Sequence, residues 1–537
     1  MTDVLNQPPP LEGYDAYAGD AALAAAVRRA GVSWVDGAAG DLGRFVGSAE
    51  AQAHAALANR HAPELRTHDR YGHRIDAVEY HPSYHALMHR AICGGVHSTA
   101  WKRERGGFSG RAVLFYLWNQ LEQGTACPVT MTFASIPMFE HAPDIAAAWR
   151  AKVLADAYDP RPAPVAEKAG VTIGMAMTEK QGGSDLRAVQ TVARRGDGAF
   201  RLDGHKWFCS APMSDAFFTL ARLPEGVTCF FVPRSLADGS RNAFYLQRLK
   251  DKCGNRSNAS SEVEYRDTAA WLVGEPGRGI ATLIEMAHHT RFDIVVGVAG
   301  MMRAGLNQAI HHARHRSAFG KRLEEHALMA NVLADLALET EAAMLMAFRL
   351  AAAFDASGAD AKEYQLQRVL TPIAKYWLCK RVTALAVEAM ECLGGNGYVE
   401  EAPLARLYRE APLNGIWEGS ANVICLDALR ALARSPEALT VLADEIAVAS
   451  DARIAHVVAR ARRLLADPAG AQRNARTIVE MLALAVEASL MKRYSEPAAA
   501  EAFSASRLDS PGSGHAFGTL PGEIDAHALV ERARLCS

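Results

Sequence analysis

The chain has 537 residues, half of them hydrophobic, and its 58 basic residues nearly balance its 60 acidic residues. This length indicates three or four domains rather than one core, and the near-neutral charge excludes a protein that is basic or acidic throughout. No apolar run is long enough to span a bilayer, and the N-terminus lacks the apolar core of a signal peptide, so we expect a cytoplasmic protein without membrane contact.

Residues 1–171 form the first predicted domain. It is expected to be helical, because alanine-rich segments from Asp20 to Trp149 place apolar residues at helical spacing. After the proline-rich connector 159–164, short apolar runs in residues 172–279 predict a β domain. Its predicted strands are Thr191–Ala193, Phe200–Leu202, Thr228–Val232 and Glu262–Tyr265.

Helical periodicity returns over residues 280–434, in long segments typical of a four-helix-type bundle. Residues 435–537 predict an additional helical domain, with helices over Glu437–Leu465 and Ala471–Met491 and a last one from Glu523. The serine- and glycine-rich stretch Ser510–Gly514 predicts a loop. Together these segments predict an α+β protein.

The most informative motif is Met177–Asp185, Met-Thr-Glu-Lys-Gln-Gly-Gly-Ser-Asp. It offers two hydroxyls, and its two glycines let backbone N–H groups approach a ligand closely. A Ser/Gly turn between a strand and a loop is the alternative interpretation of these residues. We interpret the motif as a binding loop for a flat, electron-rich ligand.

A second motif, Ile416–Ser420, lies more than two hundred residues away and reads Ile-Trp-Glu-Gly-Ser. Ser420 is predicted to be the N-cap of the helix that follows, and Glu418 stands two residues before it. A carboxylate near a helix N-terminus is also favoured by the helix dipole. The functional interpretation is a proton acceptor beside a bound flavin.

These motifs stand in order with Thr290-Arg291, Arg316–Lys321 and Leu393–Tyr398, and the set resembles the acyl-CoA dehydrogenase family. Linking segments, among them Asn6-Gln7-Pro8 and Gly254–Ser260, are similar to the AidB-like, alkylation-response branch of that family. The resemblance covers nearly the whole chain. It implies a helical N-terminal domain, a β-barrel-like middle domain, a four-helix-type bundle and, beyond about Arg434, an added helical domain.

The resemblance also implies FAD as cofactor, an acyl-CoA-like substrate and a homotetramer built as a dimer of dimers. A flavin that accepts hydride becomes anionic, so hydrogen-bond donors near its pyrimidine ring stabilise it. The FAD contacts that the resemblance assigns are Met177, Thr178, Glu179, Lys180, Gln181, Gly182, Gly183, Ser184, Asp185, Leu186, Trp207, Ser210, Arg316, Phe319, Gly394, Gly395, Ile416, Trp417, Gly419, Ser420, Asn422 and Leu426.

The sequence departs from the family pattern at several of these positions. Many relatives have a threonine two residues after the tryptophan where this chain has Cys209, so the hydroxyl is assigned to Ser210. Ala318 and Glu391 stand where relatives often have polar, uncharged residues. These departures concern the FAD contacts that the resemblance places between neighbouring subunits.

Glu418 matches the family position of the catalytic base, which removes the α proton of a thioester while a β hydride goes to the flavin. The resemblance makes the backbone N–H of Glu418 a donor to the thioester oxygen. It places Arg291 nearby, where its charge would stabilise a negative group or lower the pKa of Glu418.

No metal site is predicted. Nine cysteines occur without Cys-x-x-Cys spacing, and the histidines between His288 and His315 lack carboxylate or cysteine partners at suitable spacing.

Six arginines between Arg453 and Arg476 oppose the single acid Asp467, and Lys492-Arg493 follow. A solvated helix face is one interpretation, and a site for the phosphates of double-stranded DNA is the other. The resemblance to the AidB-like branch favours DNA binding. The assigned positions are Arg430, Arg460, Arg462, Arg463, Arg473 and Arg476.

Three functions follow from these observations. The leading one is FAD-dependent dehydrogenation of a short branched acyl-CoA of the isovaleryl type. The alternative is a DNA-binding protein of the alkylation response in which FAD is mainly structural. A flavin oxidase is the third.

Overall fold

The computed structural model describes residues 4–509 and 516–535, so the predicted loop Ser510–Gly514 lies outside the described residues. The chain divides into two compact units. One, here the helical unit, comprises residues 1–49, 105–121 and 291–537, and the other, the barrel unit, comprises residues 50–104 and 122–290. The domain boundaries predicted from the sequence stay predictions.

The N-terminal region is mainly helical, as predicted. Its helices are α1 (Ala21–Ala30), α2 (Asp36–Val46), α3 (Ala49–Arg60), α4 (Pro82–Cys93), α5 (Gly107–Leu121), α6 (Ala126–Ala134) and α7 (Pro143–Val153). The prediction missed one β-hairpin, formed by β1 (Glu64–His68) and β2 (Arg74–Glu79). Asp69 closes its turn, because its carboxylate accepts from the backbone amides of Tyr71 and His73 at 2.8 and 2.9 Å.

The β domain is a barrel-like sheet, which confirms the predicted middle domain. Its strands are β3 (Ile173–Ala176), β4 (Val192–Arg195), β5 (Phe200–Ser210), β6 (Ala216–Leu223), β7 (Gly226–Pro233), β8 (Phe244–Leu249) and β9 (Ser260–Val273). The sheet runs β3-β6-β4-β5-β9-β7, and β7 pairs with β6 as well, so the strands close on themselves. Buried aromatic residues, among them Phe217, Phe230 and Tyr265, fill the interior.

Long helices form the predicted bundle. The elements are α8 (Gly279–His315), the two-stranded β10 (Ser317–Ala318) and β11 (Lys321–Arg322), α9 (Ala327–Ala356), α10 (Ala361–Cys392), α11 (Pro403–Glu410) and α12 (Ala421–Arg434). Within the helical unit α10 packs against both α9 and α12. Residues 291–315 of α8 belong to this unit, and its first turns, 279–290, belong to the barrel unit.

The C-terminal region contains α13 (Pro436–Ala447), α14 (Ala452–Leu465), α15 (Pro468–Arg473), α16 (Ala475–Tyr494), α17 (Pro497–Leu508) and α18 (Ala526–Ala533). The single helix predicted over Glu437–Leu465 is wrong, because Ser450 takes a positive φ of 49° and Asp451 caps a new helix by accepting from the amide of Arg453 at 2.8 Å. The helix predicted from Ala471 is likewise interrupted, at Asn474. Helix α17 was not predicted.

Candidate active site

The loop 177–186 of the barrel unit is anchored by a buried carboxylate. Glu179 is almost completely buried and accepts hydrogen bonds from Lys206 Nζ at 2.7 Å and Thr191 Oγ1 at 2.6 Å. Burial alone would raise the pKa of Glu179, but the Lys206 ammonium outweighs it and lowers that pKa to about 2. The Glu179 side chain therefore fixes the loop to β5, and only its backbone is left for a ligand.

Backbone hydrogen bonds bring the two flavin-facing segments of the prediction together. The amide of Trp207 donates to the carbonyl of Thr178 at 2.8 Å, and the amide of Lys180 donates to His205 Nε2 at 2.9 Å. Gly183 has to be glycine, since a Cβ there would lie 2.4 Å from the Thr178 hydroxyl. The loop is thus held tightly against β5.

Thr178 and Ser184 supply the two hydroxyl groups of this loop. Ser184 is exposed and Thr178 is half-buried, and neither hydroxyl has a hydrogen-bond partner within residues 4–509 and 516–535. Gln181 donates to Glu179 and to the carbonyl of Ala188, and Asp185 caps the turn that begins at Leu186. Among the other loop residues Lys180 and Gly182 are exposed and Met177 is half-buried.

The ammonium group of Lys250 lies over one face of the Trp207 ring, a contact that the sequence did not indicate. Lys250 Nζ lies 3.3 Å from the centroid of the Trp207 ring and forms an ion pair with Glu262 at 2.6 Å. Trp207 itself is only partly buried. The Lys250 contact fixes the plane of the ring.

Ser210 is the hydroxyl-bearing residue on the outer side of β5. Its Oγ lies 3.2 Å from Ser260 Oγ, which also accepts from Lys252 Nζ at 3.1 Å. Cys209 instead packs in the barrel core, where burial raises the pKa of its thiol to about 12. Cys209 therefore faces the core and Ser210 does not, and the assignment of Ser210 to FAD stays a prediction.

In the helical unit, the 416–420 motif holds Glu418 in an unusual backbone conformation. Glu418 has a φ of +55°, in the left-handed region that costs about 1–2 kcal/mol for a residue other than glycine. Gly419 follows with a φ of +107°. Side chains from two other helices must therefore stabilise this turn.

Two cations bind three consecutive carbonyls of that turn. Arg291 Nε donates to the carbonyl of Glu418 at 3.0 Å. Lys375 Nζ donates to the carbonyls of Trp417 and Gly419 at 2.8 and 2.7 Å. Lys375 of α10 is almost completely buried, and burial lowers its pKa to about 8. Sequence analysis did not find Lys375, although a lysine inside an apolar helical segment is a usable signal.

Arg291 lies beside Glu418, as the resemblance implied, but its charge has a second partner. Its Nη1 donates to Asp427 of α12 at 2.9 Å. The guanidinium therefore links the carbonyl of Glu418 to a carboxylate on the next helix. We interpret Arg291 as a support of the backbone turn.

The remaining residues of the motif surround this turn. Ile416 is exposed, Ser420 occupies the predicted N-cap position of α12 without a side-chain cap bond, and Leu426 is half-buried. The indole N–H of Trp417 is buried and has no acceptor within the described part of the chain. A buried N–H of this kind is commonly satisfied by an ordered water or a ligand.

The β10–β11 hairpin displays Phe319 to solvent. This residue is 96% exposed and has a φ of +52°. Arg316 donates to the carbonyl of Asn6 at 2.6 Å, and Asn6 also bonds both backbone groups of Ser317. The N-terminal segment thus holds the hairpin in place, a contact that the sequence did not indicate.

The glycine turn after α10 has two open positions. A Cβ at Gly394 or Gly395 would meet no atom within 4 Å, whereas at Gly397 it would lie 2.3 Å from the carbonyl oxygen of Met390. Only Gly397 is required by the packing of this chain.

The predicted phosphate-binding arginines are only partly available. Arg460, Arg462, Arg463 and Arg473 are exposed. Arg476 is exposed and donates to Asn422 at 2.9 Å, and Arg430 lies 3.8 Å from Asp427.

Three further cations of the predicted patch are already paired. Arg453 bonds Asp451 and Glu501, Lys492 pairs with Asp451, and Arg493 pairs with Glu445. The available basic surface is therefore smaller than the sequence suggested.

Over residues 4–509 and 516–535, no cluster of three metal-ligating side chains occurs. No helix in those ranges has the length and apolar character that crossing a membrane requires.

A helical N-terminal region, a barrel-like β domain and a helical bundle carrying a Trp-Glu-Gly-Ser turn are the architecture of the acyl-CoA dehydrogenase class. Three family models match the chain in this order: the adaptive response protein AidB N-terminal domain over residues 6–160, the acyl-CoA dehydrogenase middle domain over 174–268 and the acyl-CoA dehydrogenase C-terminal domain over 277–433.

Individual relatives agree with these matches. The putative acyl-CoA dehydrogenase AidB of Escherichia coli is 44% identical over 515 residues, which cover 95% of each chain. The crystal structure of Caenorhabditis elegans ACDH-11 in complex with C11-CoA has a TM-score of 0.86 at 22% identity, covering 95% of this chain and 94% of that one. The structure described as Bd2924 apo-form has a TM-score of 0.85 at 28% identity, covering 91% and 99%. The chain belongs to the AidB-like branch of the acyl-CoA dehydrogenase family.

Proposed function

We propose that this protein is an FAD-dependent dehydrogenase that introduces an α,β double bond into a short branched acyl-CoA of the isovaleryl type. The observation that carries the proposal is the 416–420 turn, where Glu418 is held in a strained conformation by Arg291 and Lys375. Strain of this kind persists where the surrounding structure enforces it and is concentrated at functional sites.

Glu418 would remove the α proton. As that C–H bond breaks, its electron pair becomes the new bond between the α and β carbons, and the β hydrogen leaves as hydride. FAD, when bound, supplies the acceptor for this hydride. Arg291 would keep the Glu418 backbone in position through Nε, while its Nη1 binds the Asp427 carboxylate.

The residues present fit FAD. In the barrel unit, Thr178 and Ser184 offer hydroxyl donors; in the helical unit, the buried indole N–H of Trp417 is a further donor, with no acceptor among the described residues. Anaerobic addition of acyl-CoAs of graded length and branching tests the substrate class. Bleaching of the oxidised flavin should be fastest with short branched thioesters, and equal rates with long straight chains would contradict this choice.

Removal of the two loop hydroxyls should weaken FAD retention. The variant Thr178→Val with Ser184→Ala keeps the Glu179–Lys206 anchor but removes two donors, so flavin content after gel filtration should fall several-fold. Ser240→Ala removes an exposed hydroxyl from another loop of the barrel unit and should leave flavin content unchanged. Full flavin occupancy in the double variant would disprove the role of this loop.

A homotetramer, built as a dimer of dimers, is the assembly we propose. The exposed Phe319 hairpin and the open glycines 394 and 395 are the features of this chain that support it, since a neighbouring molecule would cover them. Light scattering should give four times the mass of 57.9 kDa. A monomer with full flavin content would contradict the assembly.

A second candidate function, sequence-tolerant binding of double-stranded DNA, is supported by the exposed arginines of α14. Changing Arg460, Arg462 and Arg463 to glutamate should abolish retention on duplex DNA, because each replaced cation repels phosphate. In the parent protein log K should fall linearly with log salt. Electrophoretic mobility shifts over a salt series measure both effects.

The matched control changes three exposed arginines elsewhere, Arg70, Arg103 and Arg278, to glutamate and alters the net charge equally. It should bind DNA almost as the parent does. If both triple variants lose binding alike, net charge and not the α14 surface explains it. If the α14 variant binds normally, these arginines are a solvated helix face.

A further inference from the structure

Lys375 is an unusual residue for the position it occupies. It lies in the middle of α10 between buried apolar neighbours such as Ile373 and Leu378, and its side chain is almost completely buried. Within residues 4–509 and 516–535, no carboxylate lies within 4.0 Å of its ammonium group. Its two hydrogen bonds go to the carbonyls of Trp417 and Gly419.

A buried cation without a carboxylate partner is unfavourable for folding unless its hydrogen-bonding capacity is used. Here the two acceptors flank Glu418, whose own carbonyl is held by Arg291. The three carbonyls in a row are thereby fixed, and the backbone between them is kept at positive φ. A methionine of similar length would fill the same space without fixing the turn.

We propose that Lys375 is a positioning residue for the base: it holds the Trp417–Gly419 backbone so that the Glu418 carboxylate is presented for proton removal. This inference rests on the proposed function of Glu418. Lys375 acts on the base through the backbone of this turn. The orientation of the carboxylate, rather than the binding of acyl-CoA, is what it supplies.

The test uses the full-length flavoprotein with Lys375→Met, which removes both donors, and Lys375→Gln, whose amide retains donors on a shorter side chain. Lys380→Met on the exposed side of α10 is the matched control. Exchange of the α hydrogen of isovaleryl-CoA in D₂O, followed by mass spectrometry, reports proton removal alone. Hydrogen exchange of the peptide covering residues 411–422 reports the turn without any reaction.

Lys375→Met should lower kcat and the rate of α-hydrogen exchange at least about tenfold, with KM and flavin content within about twofold of the parent. Lys375→Gln should fall between them, and Lys380→Met should match the parent. The 411–422 amides should exchange fastest in Lys375→Met, at an intermediate rate in Lys375→Gln and at the parental rate in Lys380→Met. A merely structural lysine would change flavin content or KM together with kcat and would not give this rank order.

The two proposals fail separately. If the parent neither reduces its flavin nor exchanges the α hydrogen with any acyl-CoA, the proposed function is wrong, and the amide exchange still decides whether Lys375 holds the turn. If the parent is active, the role of Lys375 is refuted by a Lys375→Met variant with two parental rates: that of α-hydrogen exchange in the acyl-CoA and that of amide exchange in residues 411–422.

Discussion

Glu418→Gln should reduce acyl-CoA-driven flavin reduction by at least ~10²-fold, the lower range for loss of a general base. Glutamine has nearly the same shape and retains hydrogen-bonding atoms, so the Arg291 and Lys375 contacts to the backbone of this turn should persist. What it lacks is the ability to accept a proton. Stopped-flow absorbance of the oxidised flavin measures the effect, with flavin content and substrate affinity expected to stay close to the parent.

Glu437→Gln on α13 makes the same chemical change at an exposed site and should leave the reduction rate unchanged. An unaffected rate in Glu418→Gln would assign proton removal to another group. A loss of flavin instead of rate would indicate that Glu418 supports the cofactor and not the reaction.

The barrel and bundle were predictable because their signals are local. Alternation and turn residues marked β4, β5, β7 and β9 but not β3, β6 or β8, and apolar residues at helical spacing marked 280–434. The missed break at Ser450 and the missed helix α17 had signals too: Asp451 is a standard N-cap residue, and Pro497 stands at a favoured first helical position. Uninterrupted apolar periodicity masked the first of these.

The sequence predicts the candidate site as a set of motifs but does not give the contacts within it. The order of motifs predicts the 177–186 loop and Glu418 as parts of the site, whereas the inward direction of the Glu179 side chain depends on its ion pair with Lys206 of β5. The pairing of Arg291 with Asp427 and the bonds of Lys375 likewise join residues far apart in sequence. Side-chain partners of this kind are set by packing between helices, which local patterns do not encode.

A buried ionic cluster attaches the C-terminal helices to the bundle. Arg507 of α17 pairs with Asp335 and, at 2.9 Å, with Glu339 of α9, and Arg381 of α10 donates to Glu339 at 2.6 Å. Burial opposes the charge on Glu339, but the two arginines outweigh it and lower its pKa to about 2. Glu339 is therefore charged in the folded protein, and both carboxylates have the arginines as partners.

Arg507→Met should destabilise the helical unit by about 3–5 kcal/mol, the usual effect of removing one partner from a buried ion pair. Asp335 would lose the only arginine that pairs with it in the described residues, and Glu339 would keep Arg381 alone. Urea denaturation followed by circular dichroism measures the loss as a lower midpoint for this unit. Arg463→Met, an exposed arginine in the same C-terminal region, should change the midpoint little.

Glu487 of α16 is a buried carboxyl whose pKa is shifted in the opposite direction from that of Glu339. Burial, with Glu339 nearby, raises its pKa well above the ordinary 4.5, and it accepts from the Trp377 indole N–H at 2.8 Å. The folded protein thus retains a proton that the unfolded chain releases above pH 4.5, so stability falls as pH rises toward the raised pKa. Glu487→Gln preserves the acceptor and removes this titration. The urea midpoint of Glu487→Gln, measured relative to that of the parent, should therefore increase with pH. A difference that stays constant from pH 5 to pH 9 would show that Glu487 is ionised in the folded protein.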